Sequence, residues 1–275
     1  MNTIDASYAH CVSVARQRAK NFYWSFILLP REKRRAMCAV YAFMRECDDL
    51  SDGDRASAEA MREWRADLDR TLAGKPAEHP LWPALLDTVN RYRIPHRYLH
   101  EMIDGVQSDL TAHDFENFDE LYRYCYLVAS VVGLTVIHIF GFDDPAALPL
   151  AEKCGIAFQL TNIIRDVDED HEQGRVYLPQ EDIRQFGVKS LGKDSSELRE
   201  LLADMAARAR AYYDESRPLV ALIHSDSRAS LWALIEIYRR LLERIDDAGY
   251  DVFSRRIRLS SWEKAWILVQ AQFRA

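Results

Sequence analysis

Two short runs of acids carry a spacing suited to metal and phosphate chemistry. The first is Arg45-Glu-Cys-Asp48-Asp49-Leu-Ser-Asp52, and the second is Gln159-Leu-Thr-Asn162-Ile-Ile-Arg165-Asp166-Val-Asp168-Glu169-Asp170. On a helix, residues four apart lie about 40° from one another, so Asp48 and Asp52 project from one side, and Asp166 and Asp170 do the same. Tyr41 and Arg45 extend the first face backwards; Gln159 and Asn162 extend the second. Gly53 follows the first run and Gly174 the second, which puts both near helix C-termini. Like charges at this spacing cost a few tenths of a kcal/mol, and an anion against the helix dipole costs about 0.3–1 kcal/mol more. A cation would offset that. Clustered carboxylates suit Mg²⁺, which takes one or two of them and shares its other positions with water and phosphate oxygens; Mn²⁺ accepts the same donors. Each run alone reads equally as a solvated acidic face. The shared spacing favours a joint site, and so does an arginine beside each run, because a guanidinium grips a diphosphate bidentately.

The elements that must hold these faces are long helices. Only 10 glycines and 9 prolines occur in 275 residues, against usual shares of about 7% and about 5%. An all-β fold needs more turn residues than that. Stretches free of both residues run through 1–29, 31–52, 54–73, 106–132, 156–173, 193–217, 219–248 and 250–275. Within 31–52, Met37, Val40, Tyr41, Met44 and Cys47 follow the spacing of one helical face. Pro30 and Gly53 punctuate its ends. The window Tyr124–Phe142 lacks any Asp, Glu, Lys or Arg, long enough to raise the question of a membrane span. Ser130, Gly133, Thr135 and His138 within it, and Asp143-Asp144-Pro145 after it, favour a buried central helix instead. A short extended piece at Arg175–Leu178 is the best strand candidate. Gly74–Pro83 reads as a loop, and nothing divides the chain, so residues 1–275 are expected to form one all-α domain.

The formal net charge of −7, without a dense Lys/Arg run, argues against nucleic acid as a partner. Cys11, Cys38, Cys47, Cys125 and Cys154 are odd in number and form no C-x-x-C pair. They read as reduced, mostly buried thiols of a cytoplasmic protein. The first twenty residues lack the apolar core of a secretory signal.

The runs 41–52 and 159–170 resemble the two aspartate-rich motifs of the squalene/phytoene synthase family. Phe22-Tyr-Trp-Ser-Phe with Leu29-Pro30 is similar to its N-terminal segment, and Tyr124-Cys-Tyr-Leu-Val-Ala-Ser-Val-Val-Gly133 to its central tyrosine motif. Gly174-Arg-Val-Tyr-Leu-Pro179, Tyr238-Arg-Arg-Leu-Leu-Glu-Arg and Gly249-Tyr-Asp-Val-Phe-Ser-Arg255-Arg256 also match in order. The resemblance implies an all-α isoprenoid synthase bundle around a central cavity. It implies that Asp48, Asp52, Asp166 and Asp170 hold Mg²⁺, and that Lys20, Arg45, Arg165, Arg175, Tyr238 and Arg255 contact phosphate oxygens. Tyr41, Tyr124 and Tyr177 would line the reaction centre, with Gln159 and Asn162 beside them. Two positions depart from the family pattern: Asn21 stands where serine is common, and Ser130 where many relatives have glycine, which would narrow the channel.

The leading expectation is condensation of two farnesyl diphosphates to presqualene diphosphate, on a route to squalene, hydroxysqualene, dehydrosqualene or hopanoids. The alternatives are a phytoene synthase acting on geranylgeranyl diphosphate and a non-catalytic relative serving as a binding or assembly protein. No G-x-G-x-x-G follows a strand, which leaves NADPH use open, since the family's reductive members have no such site. Partner enzymes of the same pathway remain open as well. Trp262-Glu-Lys-Ala-Trp266-Ile-Leu-Val is modestly amphipathic, so peripheral contact at the inner membrane face is set against ordinary helix packing.

Overall fold

The computed structural model describes residues 3–18, 25–52, 57–108 and 114–274. Lys20, Asn21, Phe22–Trp24 and Gly53 lie outside them, as does the Asp52 side chain. Among the described residues the order is α1 (Thr3–Arg18), α2 (Arg31–Asp52), α3 (Ala58–Leu72), α4 (Trp82–Tyr92), α5 (His96–Ser108) and α6 (Phe118–Cys125). A π-helical turn, Tyr126–Ser130, leads directly into α7 (Val131–Phe140). Then come α8 (Ala147–Glu172), α9 (Gln180–Gln185), α10 (Ser196–Glu215), α11 (Leu219–Leu222), α12 (Ser225–Asp247) and α13 (Ser261–Arg274). The fold is all-α. The extended piece expected at Arg175–Leu178 amounts to a single parallel bridge between Asp114 and Val176. Local chemistry sets the helix starts: Ser57, Asn117 and Ser195 each accept a backbone N–H of the first turn through the side chain.

Three glycines sit inside helices rather than at their ends. A Cβ on Gly155 of α8 would lie 2.5 Å from Ser130 Cα, and one on Gly105 of α5 would lie 2.9 Å from the Leu127 carbonyl. Gly133 lies in α7, where a Cβ would meet the Ala151 carbonyl oxygen at 3.3 Å. Gly155 and Gly105 let neighbouring backbones approach the π turn at distances a side chain forbids, and at Gly133 the contact is merely tight. Ser130 is therefore not a channel residue. It is fully buried, its hydroxyl donates to the Glu152 carbonyl at 2.7 Å, and its backbone presses on Gly155, so it seals the contact with α8.

Burial divides into two apolar clusters. One gathers Cys11, Val40, Phe43, Leu85, Leu99 and Ile137 from α1, α2, α4, α5 and α7. The other gathers Leu160, Ile164, Leu201, Met205, Leu241 and Ile267 from α8, α10, α12 and α13. Tyr126, Phe158 and Ile235 pack against both. The stretch Phe118–Phe140 is apolar and long enough to cross a membrane, yet Leu121, Cys125, Val131, Ile137 and Ile139 of it are buried among the other helices. All five cysteines are buried too.

Candidate active site

A cavity of about 560 Å³ opens between the two clusters. Along α8 it is lined by Ala151, Cys154, Gly155, Phe158, Gln159, Asn162 and Arg165, the i, i+3, i+4, i+7 pattern of one helical face. That stripe spans fifteen residues, or about 21 Å at a rise of 1.5 Å per residue. It grades from apolar to charged toward the C-terminus. On α2 the lining runs the same way, from Met37 and Val40 through Tyr41 and Met44 to Arg45 and Asp48. Leu127, Val128 and Ala129, three consecutive residues of the π turn, all line the cavity. The result is one long slot, apolar along its walls and polar where α2 and α8 end.

The polar end brings together most of the residues singled out from sequence. Tyr41, Arg45, Asp48, Tyr124, Gln159, Asn162, Arg165 and Tyr238 all line the one cavity. Arg45 pairs with Asp49, leaving its Nε buried without a partner. Arg165 grips Asp166 through two nitrogens, Nε at 2.8 Å. Tyr238 stacks on Phe158 with ring centroids 4.3 Å apart and hydrogen-bonds to Asn162. The Asn162 Oδ1 is buried and unpartnered, although its amide nitrogen reaches Gln159 at 3.4 Å. Burial raises the Tyr41 and Tyr238 phenols above their ordinary values, so both keep their protons at neutral pH and remain donors. A buried orphan donor on Arg45 and an orphan acceptor on Asn162 are costly unless a ligand meets them.

The second acidic run continues just beyond. α8 closes in a Schellman turn: the N–H of Gly174 donates to the His171 carbonyl at 2.9 Å and that of Arg175 to the Asp170 carbonyl at 2.8 Å. Gly174 sits at φ +75°, in the left-handed region that favours glycine. The reversal folds Arg175 and Tyr177 back, so that with Asp170 they surround a small gap beside Ile163 and Val167. Tyr177 stacks on Tyr124 at 5.1 Å, and Phe115 completes the trio at 5.3 Å from Tyr124. Tyr124 thus meets the cavity with Tyr177 behind it. Burial, and then the neighbouring Asp166 charge, push Asp170 up to about 7.

Arg255, expected at the phosphates, is exposed and outside the cavity lining; its neighbour Arg256, also exposed, reaches Asp166 at 3.2 Å and Glu169 at 2.7 Å. Neighbouring arginines in an irregular segment have no periodicity to tell them apart, so the sequence holds no signal for the choice. Arg18, in the last turn of α1, also lines the cavity. Sequence reasoning picks Lys20 in its place, and Lys20 lies outside the described residues. Among the described residues no three His, Cys, Asp or Glu side chains converge tightly enough to hold a metal by themselves. A cation here would share its coordination with substrate oxygens and water, the habit of Mg²⁺.

A family model described as squalene/phytoene synthase matches residues 15–263. The phytoene synthase of Arthrospira platensis is 37% identical, covering 98% of this chain and 93% of its own. The 15-cis-phytoene synthase of Synechococcus elongatus is 34% identical, covering 99% and 94%. The crystal structure of a dehydrosqualene synthase in complex with ligand superposes with a TM-score of 0.92 at 32% identity, covering 98% of this chain and 96% of that one. With the motifs in order along the chain, the slot between the two cores and relatives matched over nearly their whole length, this chain belongs to the squalene/phytoene synthase family of head-to-head prenyltransferases.

Proposed function

We propose that the protein joins two molecules of geranylgeranyl diphosphate head to head and carries the product on to phytoene. The observation that carries the reaction class is the slot itself: about 21 Å long along α8, apolar at one end and closed at the other by Arg45, Asp48, Asn162, Arg165 and Tyr238. Such a slot fits a long prenyl chain with its diphosphate at the charged end. The C20 length is favoured by the similarity in sequence to phytoene synthases over the farnesyl diphosphate that the motifs alone suggest. A second reading keeps the C15 substrate, favoured by the similarity to a dehydrosqualene synthase.

In the first step the allylic C–O bond of one donor breaks and pyrophosphate leaves with the electron pair. The alkene of the second molecule attacks the allylic cation, and loss of one proton closes the cyclopropane ring. Arg45, Arg165 and Arg175 supply charge where the pyrophosphate departs, the kind of preorganised stabilisation that contributes most to such steps. The neutral Tyr41 and Tyr238 hydroxyls donate to its oxygens. Tyr124 presents an aromatic face to the cation, and the walls of α7 and α8 exclude the water that would quench it. Asp48, Asp166 and Asp170, with Asp52 by its spacing, would hold Mg²⁺ or Mn²⁺; burial, and after it the Asp166 charge, push Asp170 up to about 7, and a bound cation would favour its ionised form. When bound, the metal neutralises charge on the leaving group.

The test is incubation of purified protein and Mg²⁺ with geranylgeranyl or farnesyl diphosphate, with and without NADPH, followed by pyrophosphate release and product identification. A C40 hydrocarbon from the C20 substrate is expected. A C30 product alone would replace it with the second reading, and no pyrophosphate from either would remove the enzyme reading.

A further inference from the structure

Asp166 is held from two sides. Arg165 donates to both of its carboxylate oxygens, with Nε at 2.8 Å from Oδ1, and Arg256 donates to the same Oδ1 at 3.2 Å. The other arm of Arg256 reaches Glu169 at 2.7 Å. Two guanidinium groups therefore already satisfy a carboxylate that the proposed reaction gives to a metal ion. A divalent cation and an arginine compete for such oxygens, because each needs the lone pairs the other would use and their charges repel.

The two arginines are not equally able to yield. The Arg165 side chain is 15% exposed, and leaving Asp166 would strand a buried cation; its remaining N–H groups can still serve a diphosphate from where it stands. Arg256 is 41% exposed, so its guanidinium is hydrated when it lets go. The backbone beneath it is fixed. Val252, Ile257 and Leu259 are buried in the second core, the Ser254 N–H donates to Asp251 at 3.0 Å, and Arg244 of α12 donates to the Arg258 carbonyl at 2.8 Å. The strap stays across the end of α8 while the Arg256 side chain turns.

We propose that Arg256 is a stand-in cation for the second acidic run: it holds Asp166 and Glu169 until a metal ion enters with the diphosphate, and then passes from the carboxylates to the diphosphate oxygens. The inference rests on the reading of Asp166 as a metal ligand, and it names the residue that makes metal binding depend on substrate. A metal ion alone has to displace Arg256 into water. A metal ion accompanied by a diphosphate gives the arginine a new anionic partner within reach, so each ligand tightens the other.

The test is Mn²⁺ binding to the substrate-free protein, followed by the electron paramagnetic resonance signal of the free ion, beside KM for the prenyl diphosphate at saturating Mg²⁺. Mn²⁺ is the probe because it takes the same oxygen donors. Arg256→Met is expected to tighten Mn²⁺ about five- to tenfold, the effect of removing one positive charge about 5 Å from a divalent ion in a wet site, while KM rises. Arg256→Lys keeps the charge and should stay within about twofold of the wild type in Mn²⁺ binding. Arg255→Met should leave Mn²⁺ binding unchanged. Opposite signs for metal and substrate separate a stand-in from a merely structural arginine, whose loss would weaken both. Mn²⁺ binding by Arg256→Met equal to or weaker than that of the wild type would overturn the proposal and leave the proposed reaction standing. A gain that persists in Arg256→Met/Asp166→Asn would also overturn it, by removing Asp166 from the metal site. Failure of the reaction itself shows separately, as no pyrophosphate released by the wild type.

Discussion

Among single residues, the pairs at the slot's charged end separate roles that the motifs leave merged. Arg256 bridges Asp166 and Glu169 while Arg255 faces outward. Arg256→Met is therefore expected to raise KM for the prenyl diphosphate about tenfold, the loss of one charge-assisted contact, and to do so more than Arg255→Met; steady-state kinetics on both variants checks this. Asp166→Asn and Asp48→Asn should each lower kcat by roughly 10²–10³, the usual cost of losing one electrostatic element of a transition state, with the unfolding temperature nearly unchanged. Full turnover in either would remove these acids from the reaction. The grouping of Tyr41, Arg45 and Asp48, and of Gln159, Asn162 and Arg165, is legible in the sequence because each trio lies on one regular helix. The Tyr124–Tyr177 stack is not legible from spacing. It depends on a chain reversal at Gly174 and a contact across 53 positions, and only the family resemblance brings both into the site.

Within the helices, glycine carries two opposite meanings. Gly174 ends α8, as the rarity of glycine in the chain suggests. Gly155, Gly133 and Gly105 instead lie inside helices and set how closely the π turn and α7 are approached. Sequence pattern treats all of them as breaks, because the neighbour that explains an interior glycine is distant in the chain. The stretch 219–248 departs in the other direction: it contains neither residue and still breaks between α11 and α12, where His224 N–H donates to the Gly141 carbonyl at 2.9 Å. Gly155→Ala is expected to destabilise the protein by about 1–3 kcal/mol through overpacking on Ser130, outweighing the roughly 0.8–1 kcal/mol of helix propensity gained; denaturant unfolding measures the net. At Gly174 a Cβ meets nothing within 4 Å, so Gly174→Ala should cost only about 1–2 kcal/mol of left-handed backbone strain. The strain should loosen Arg175, and kcat should fall more than stability.

For the molecule as a whole, a few polar ties join distant parts of the bundle. Lys33, in the first turn of α2, donates to the Phe140 carbonyl at 2.7 Å, to Asp226 at 2.6 Å and to Ser227 at 3.0 Å, fastening α2 to the ends of α7 and α12. Burial alone would raise the Asp226 carboxyl, but the hydrogen bonds from Lys33 and Ser227 hold it below its ordinary value. Its contribution is therefore present at neutral pH and is lost as pH falls through that lowered value. Lys33→Met should cost about 1–3 kcal/mol at pH 7, and the difference from wild type should shrink in acid; urea unfolding across pH tests both. The slot itself has a consequence for how the protein persists. Its walls belong to both cores, so a prenyl chain lying in it completes packing that the empty protein lacks. A ligand that binds only the folded form adds about 2.7 kcal/mol at a hundredfold excess over its Kd. Starved of substrate, the protein is at its weakest and most open to proteases; supplied with it, the same chain is protected. Its abundance would then follow the supply of its own precursor with no regulator involved.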